Sequence, residues 1–321
     1  MKFNRKKTVR VISALTVAAS VGAYGVASSA AHGLAHSRTT ARTAAALPGA
    51  GKPAITLGDK NFPEEYILGD LYQQALEAKG YKINLKPNLG STEIAWKALQ
   101  SGQIQAYPEY DGTLLATIAG ITKNAANAKA EAAETVKWAA KHGYDFTNVT
   151  PFTDSDAIAV LKTYAKAHGL STLGDLKKLG SAVKLGGAAE FSTRYPDGLL
   201  GLNRIYKAFP TFDPLTISSF YTALDSGQVN AAVVFTTDPP LKTGKYTVLK
   251  DTKFIFGFQN VGLVVKASVA KAEGPAFTST VNAVSKLLTQ PVIIALNSAV
   301  EVDQKSPASV AKAFLKANHL L

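Results

Sequence analysis

Two stretches of this 321-residue chain place aromatic rings beside carboxylates where the pattern reads as the end of a strand. One is Tyr107-Pro108-Glu109-Tyr110-Asp111-Gly112, the other Phe235-Thr236-Thr237-Asp238. A ring face attracts a cation, each ring contributing ~0.5 to 2 kcal/mol as the cation loses its water. Neighbouring carboxylates supply counter-charge, and Thr236, Thr237 and Asp238 can orient a pocket through hydrogen bonds. Paired rings with acidic neighbours point to the holding of a small cationic or zwitterionic solute.

The two stretches are related by more than composition. KALQSGQIQAYPEY over 97–110 and TALDSGQVNAAVVF over 222–235 repeat Ala, Leu, Ser, Gly and Gln at a constant offset of 125, which also aligns Tyr110 with Phe235. One period of that length is too long for a solenoid. It suits two lobes on one α/β plan, each with a helix, a glycine turn and a strand that ends in an aromatic. Ligands of open parallel sheets lie at the carboxyl ends of the strands, so Tyr110 and Phe235 are expected to face a cleft between lobes.

The elements that position these residues begin at Ala54. AITLG reads as a strand, and Pro63, Glu64 and Glu65 open a helix with favourable first-turn chemistry. YKINLKP alternates as a strand, STEIAWKALQSG is a capped helix, and QIQAYPEY is the next strand. The order β-α-β-α-β favours a parallel sheet with helices on its faces. Trp96, Tyr66 and Tyr72 lie at helical spacing and read as packing, and the face of Tyr107 is undecided. The first lobe is expected over 54–153, the second over 154–257, and a return to the first lobe over 258–321, with helices over 274–301 and 306–319. Two crossovers near 153 and 257 would form a hinge.

Composition narrows the setting. Lys2, Arg5, Lys6, Lys7 and Arg10 precede an apolar run from Val11 to Val26, and Ser29 and Ala31 follow it, the pattern of an export signal over 1–31. A retained N-terminal anchor is the alternative. Residues 32–53, rich in Ala, Thr, Gly and Pro, read as a flexible linker. The formal charge of +12 owes part to those leading basic residues, and the remainder is scattered. Scattered charge argues for a solvated surface and against a nucleic-acid groove. With no cysteine there is no disulfide, thiolate metal site or lipid-anchor Cys. The five histidines stand apart from any acidic cluster of metal-ligand spacing, and no phosphate loop, nucleophile elbow or zincin motif is present. Neither catalysis, nor a cofactor, nor a metal is expected.

Four ordered stretches carry a resemblance: GDKNFPEEYILGDL (58–71), LGSTEIAWKALQSGQIQAYPEYDGT (89–113), EFSTRYPDGLLGL (190–202) and YTALDSGQVNAAVVFTTDPPL (221–241). Together they resemble the osmoprotectant family of ABC-transporter substrate-binding proteins, which bind glycine betaine, choline, carnitine and similar quaternary ammonium compounds. The resemblance implies a two-lobed type II periplasmic-binding-protein fold of the α/β class, with a hinge and an inter-lobe ligand cleft. It also implies an extracytoplasmic protein without catalysis that delivers its solute to a membrane permease and its ATPase. A monomer is the expected state. Position by position it implies that Lys60 and Asn61 meet the polar end of the ligand, that Tyr110 supplies a ring, and that Thr113 supplies a hydroxyl. Arg194, Tyr221 and Phe235 match further contacts.

This chain departs from the pattern too. Asp111 stands where the family's turn has Thr, Asp156 where several relatives place an aromatic, and Phe235 where Tyr is frequent. Added carboxylates would suit a cation that donates hydrogen bonds, or one of compact charge. Arg194 either contacts ligand and lobe or pairs with Asp197 on the surface, and Phe191 either lines the pocket or packs beneath the loop. A sensory or surface module for a polar amino acid or another small cation is the alternative function.

Overall fold

The computed structural model describes residues 46–321. The expected export signal and the first part of the expected linker lie outside the described residues. Ten strands follow in chain order: β1 (Ala54–Gly58), β2 (Lys82–Lys86), β3 (Ala106–Tyr110), β4 (Tyr144–Phe146), β5 (Asp156–Leu161), β6 (Lys184–Gly187), β7 (Thr211–Pro214), β8 (Ala231–Phe235), β9 (Tyr246–Leu249) and β10 (Val261–Lys266). They form two five-stranded sheets, β2-β1-β3-β10-β4 and β7-β6-β8-β5-β9.

Each sheet has one plan, and it is mixed where the sequence favoured parallel pairing. β1 runs parallel to β2 and β3, but β10 is antiparallel to both β3 and β4. The second sheet repeats this, with β6 parallel to β7 and β8, and β5 antiparallel to β8 and β9. The antiparallel strand in each case is the one by which the chain crosses between sheets. Its direction is set by arrival from the other lobe, which local sequence order does not encode.

The 125-residue repeat is the internal frame of both sheets. Helix α2 (Thr92–Ser101) ends at Gly102 with φ 83°, and the helix Phe220–Ser226 ends at Gly227 with φ 74°, the left-handed turn that glycine adopts without cost. The amides match in turn: Gly102 to the Leu99 carbonyl and Ile104 to Ala98, Gly227 to Leu224 and Val229 to Ala223. Both turns launch a central strand, β3 or β8. Pro108 is tolerated inside β3 because β1 pairs with that strand only at Ala106, so the missing N–H faces no partner there.

Helix α1 (Pro63–Glu77) and the C-terminal helices cover one face of the first sheet, burying Ile67, Leu71, Phe277, Ile293 and Leu315. Trp96, Leu99, Tyr107 and Phe146 fill the other face, and the second sheet has its own core around Leu185, Phe220 and Val233. The span expected as helix over 274–301 is two helices, Pro275–Ser285 and Gln290–Glu301, bent by 85° where Pro291 opens the second. Residues 47–52 of the expected linker form a turn docked on the end of α1, where the Gly49 amide donates to the Lys79 carbonyl at 2.9 Å. Gly49 allows this because a Cβ there would lie 2.3 Å from the Tyr81 nitrogen.

The crossing strands meet beside the end of β3. Asp111 accepts from the Asn260 amide at 2.8 Å, and the Asp154 amide donates to the Gln259 carbonyl at 3.0 Å. Gly112 closes this junction, since a Cβ on it would stand 2.2 Å from the Phe258 carbonyl oxygen. Gly112→Ala is expected to destabilise the protein by about 1–3 kcal/mol, the usual cost of overpacking a tight site. Urea unfolding measures this, and an unchanged midpoint would show that the junction yields freely.

Candidate ligand-binding site

The loop after β1 and the end of β3 build the inner wall. Lys60 is 3% exposed, and its Nζ donates to Glu109 Oε1 at 2.5 Å and to Thr92 Oγ1 at 3.3 Å, with Glu65 Oε1 at 3.7 Å. Tyr107 donates its hydroxyl to the other Glu109 oxygen at 2.9 Å. Strand alternation thus sends Tyr107 and Glu109 to one face of β3, where Glu109 balances a buried ammonium. Burial of such a pair is tolerable only with the surrounding hydrogen bonds in place.

Tyr110 points to the opposite face and joins a row of rings. Its centroid lies 6.1 Å from that of Phe62, which stacks on Phe235 of the second lobe at 5.2 Å and 24°. The Lys60 ammonium sits 4.4 Å from the Tyr110 centroid, an internal cation–π contact. The Tyr110 hydroxyl donates to Glu64 Oε1 at 2.7 Å. Glu64 Oε2 accepts from Thr237 at 2.8 Å and from Asn297 at 2.9 Å. One buried carboxyl therefore joins α1, the helix Gln290–Glu301 and the second lobe, and burial pushes it above the ordinary carboxylate range.

Between the sheets these walls line a cavity of about 70 Å³. A water-sized group needs ~10–15 Å³, so about five such groups fit. Four carboxylates line it, Asp154, Asp156, Glu190 and Asp197, against two cations, Lys60 and Arg194. Arg194 reaches across to Glu93 with Nε to Oε1 at 3.2 Å and Nη2 to Oε2 at 3.3 Å. The ion pairs among the described residues include none of the four lining carboxylates. Burial pushes Asp156 up to about 7 and raises Asp154 well above its usual range, where Glu64 and Asp238 add repulsion. Asp197 is also raised by burial, although Arg194 pulls the other way.

Eight of the twelve residues singled out in the sequence line this cavity: Lys60, Asn61, Tyr110, Thr113, Asp156, Phe191, Arg194 and Phe235. Four do not. Asp111 is fully buried away from it, with Oδ1 accepting from the Gly112 and Asn260 amides, because the chain turns sharply after Tyr110. Thr236 is turned to Asp154, to which its hydroxyl donates at 3.1 Å. Tyr221 donates to Asp238 Oδ2 at 2.8 Å, and the same oxygen accepts from the Phe235 amide. That pair lies in an adjoining groove with Glu64, Asn297 and Glu301, behind Phe235.

The surface pairing of Arg194 with Asp197 is not formed. Asp197 is 5% exposed and its Oδ1 has no hydrogen-bond partner, while Arg194 spans the lobes. Phe191 both lines the cavity and packs on Phe212 and Phe256. Sequence reasoning passed over Phe62, Asp154, Phe220, Phe256 and Gln259, and read Asp197 only as a surface partner for Arg194. Phe62 lay in the quoted GDKNF loop and Asp154 two residues before Asp156, so both carried a signal. Phe220, Phe256 and Gln259 looked like ordinary core and loop. Trp96 packs against Trp138 and Tyr144, as its helical spacing indicated. Among the described residues no group of three or more His, Asp or Glu could hold a metal ion.

Residues 53–317 match the family model described as the substrate binding domain of ABC-type glycine betaine transport system. A glycine-betaine-binding protein of Pseudomonas aeruginosa is 31% identical over 283 residues, covering 83% of this chain and 88% of that protein. The carnitine transport binding protein OpuCC of Listeria monocytogenes is 25% identical over 276 residues, covering 85% and 89%. A crystal structure of a glycine betaine/carnitine/choline ABC transporter protein superposes with a TM-score of 0.65 at 26% identity, covering 84% of this chain and 99% of that one.

Carboxyls raised above their unfolded values make the folded state hold protons that the unfolded chain releases. Their stabilisation is complete below the unfolded values and is lost as pH rises through the folded ones. For Asp156, raised from 3.8 to about 7, that window spans about pH 4 to pH 7. The melting temperature of the ligand-free protein is expected to fall across this window, and Asp156→Asn should flatten the fall. A melting temperature that climbs steadily from pH 4 to pH 7 would contradict the uncompensated cavity.

Proposed function

This chain belongs to the family of substrate-binding domains of ABC-type glycine betaine transport systems, and from that premise we propose that it captures a small quaternary ammonium or other cationic or zwitterionic solute between its lobes. The fold is the two-lobed α/β type II periplasmic-binding-protein fold. The solute is held outside the cytoplasm and handed to a membrane permease driven by an ATPase. The protein acts as a monomer, without catalysis or a cofactor, and the leader over 1–31 directs export.

The observation that carries this reading is the inter-lobe cavity, in which rings and four carboxylates line a space sized for a small solute. Its excess of unpaired acid favours positive charge, and its rings favour a diffuse one. A neutral sugar can donate hydroxyls to these acids but brings no charge to balance them. We take 54–153 with 258–321 as one lobe and 154–257 as the other, hinged where Thr153 bridges Asn260. Closure brings Arg194 to Glu93 and Phe235 to Phe62, so ligand and cross-lobe contacts favour the same closed state. The closed state is the form that docks on the permease.

A thermal-shift screen of betaines, choline, carnitine, polyamines, amino acids and neutral sugars tests the proposal. A site ligand at 100 times its dissociation constant should stabilise the protein by about 2.7 kcal/mol. A shift with a neutral sugar and none with any cation or zwitterion would overturn the reading. Phe235→Ala removes a ring at the strand end and should weaken cation binding by between about two- and thirtyfold, from ~0.5 to 2 kcal/mol per ring. Unchanged affinity on calorimetric titration would exclude Phe235 from the contact.

A further inference from the structure

The reading of this cavity as a cation site leaves open which kind of cation it takes, and the inference below rests on that reading. We infer that the cavity selects cations carrying N–H donors, such as primary, secondary or tertiary ammonium groups, over their fully methylated counterparts. The observation behind it is the balance of donors and acceptors around the cavity. Lys60 is committed to Glu109 and Glu65, and Arg194 to Glu93, all three carboxylates standing outside the lining. That leaves Asp156 and Asp197 facing the cavity without an ion-pair partner among the described residues. Asp197 is 5% exposed, and its Oδ1 accepts no hydrogen bond from the described residues.

A buried acceptor left unsatisfied is costly, more so when it is charged, and a donor that reaches it recovers that cost. A quaternary ammonium offers only methyl groups to such an oxygen. Its compensating advantage is contact with open ring faces, and here one face each of Tyr110, Phe62 and Phe235 is already taken. Lys60 lies over Tyr110 at 4.4 Å, and Phe62 and Phe235 cover one another at 5.2 Å. A head with one or more N–H bonds can give them to Asp197 and Asp156 while its carbon groups pack on what remains of the rings. Charge-assisted bonds of this kind are about twice as strong as neutral ones.

The test compares pairs of equal charge that differ by one methyl group. Calorimetric titration of the purified full-length protein at pH 7.5 is made with choline against N,N-dimethylethanolamine, and with glycine betaine against N,N-dimethylglycine. In each pair the N–H compound is expected to bind about tenfold tighter or more, the value of one hydrogen bond to a charged group. Asp197→Asn should reduce that ratio to within about threefold by costing the N–H compound more affinity than its quaternary partner, and Asp156→Asn provides the same reading if Asp197→Asn does not fold. Choline or glycine betaine binding as tightly as its N–H partner overturns this inference and leaves the cation clamp standing. Silence from all four compounds overturns this inference, while the clamp itself falls only if the wider screen also finds no cation or zwitterion that binds.

Discussion

Carboxylates that line a cavity without an ion-pair partner among the described residues are the constraint on which the rest of this structure turns. Two cations do enter the lining, but each is tied to an acid outside it, Lys60 to Glu109 and Arg194 to Glu93. Removing a carboxylate from water costs several kcal/mol even after relaxation, unless charge or hydrogen bonds replace the water. Asp156 responds by holding its proton to about pH 7. A cation that enters the cavity supplies what the protein withholds, and the lining is thereby matched to positive solutes before any particular contact is considered.

The same carboxyl chemistry couples the two lobes. Glu64 stands at the start of α1, accepts from Tyr110 beside it, and accepts from Thr237 across the cleft and from Asn297 on the helix Gln290–Glu301. Asp154 accepts from the Thr236 hydroxyl and the Thr237 amide at the end of β8. Burial raises both acids, and their mutual repulsion adds to the shift of Asp154. Filling the cavity with positive charge relieves that repulsion in the closed arrangement, where the acids and the cation are close together. Were the lobes to open, these groups would meet water and gain less. Such a differential gain between two states is what the proposed closure on binding requires.

Much of this was legible in the chain, and the parts that were not have physical reasons. The 125-residue repeat announced two lobes of one plan because a helix, a left-handed glycine and a central strand are local features, and local hydrogen bonds reproduce them at Gly102 and Gly227. Rings at Tyr110 and Phe235 followed from the same alignment. The antiparallel β10 and β5 were not legible, since their direction depends on where the chain crosses between lobes. Nor was Asp197, whose neighbour Arg194 looked like its partner until the fold brought Glu93 from 101 residues away. Asp111 misled for a related reason: a carboxylate after a ring looks like counter-charge, yet the turn directs it to the Asn260 amide. Side-chain direction at a turn, and pairing across a cleft, are tertiary facts.

Proton release on binding tests the central claim most directly. Titration of a cation that does not itself titrate near neutrality, carried out at pH 6.5 in two buffers of different ionisation enthalpy, separates the heat of binding from that of proton transfer. Carboxyls held protonated by an uncompensated cavity must give up protons when a cation arrives, so net release to the buffer is predicted. Identical heats in both buffers, or net proton uptake, would contradict the account.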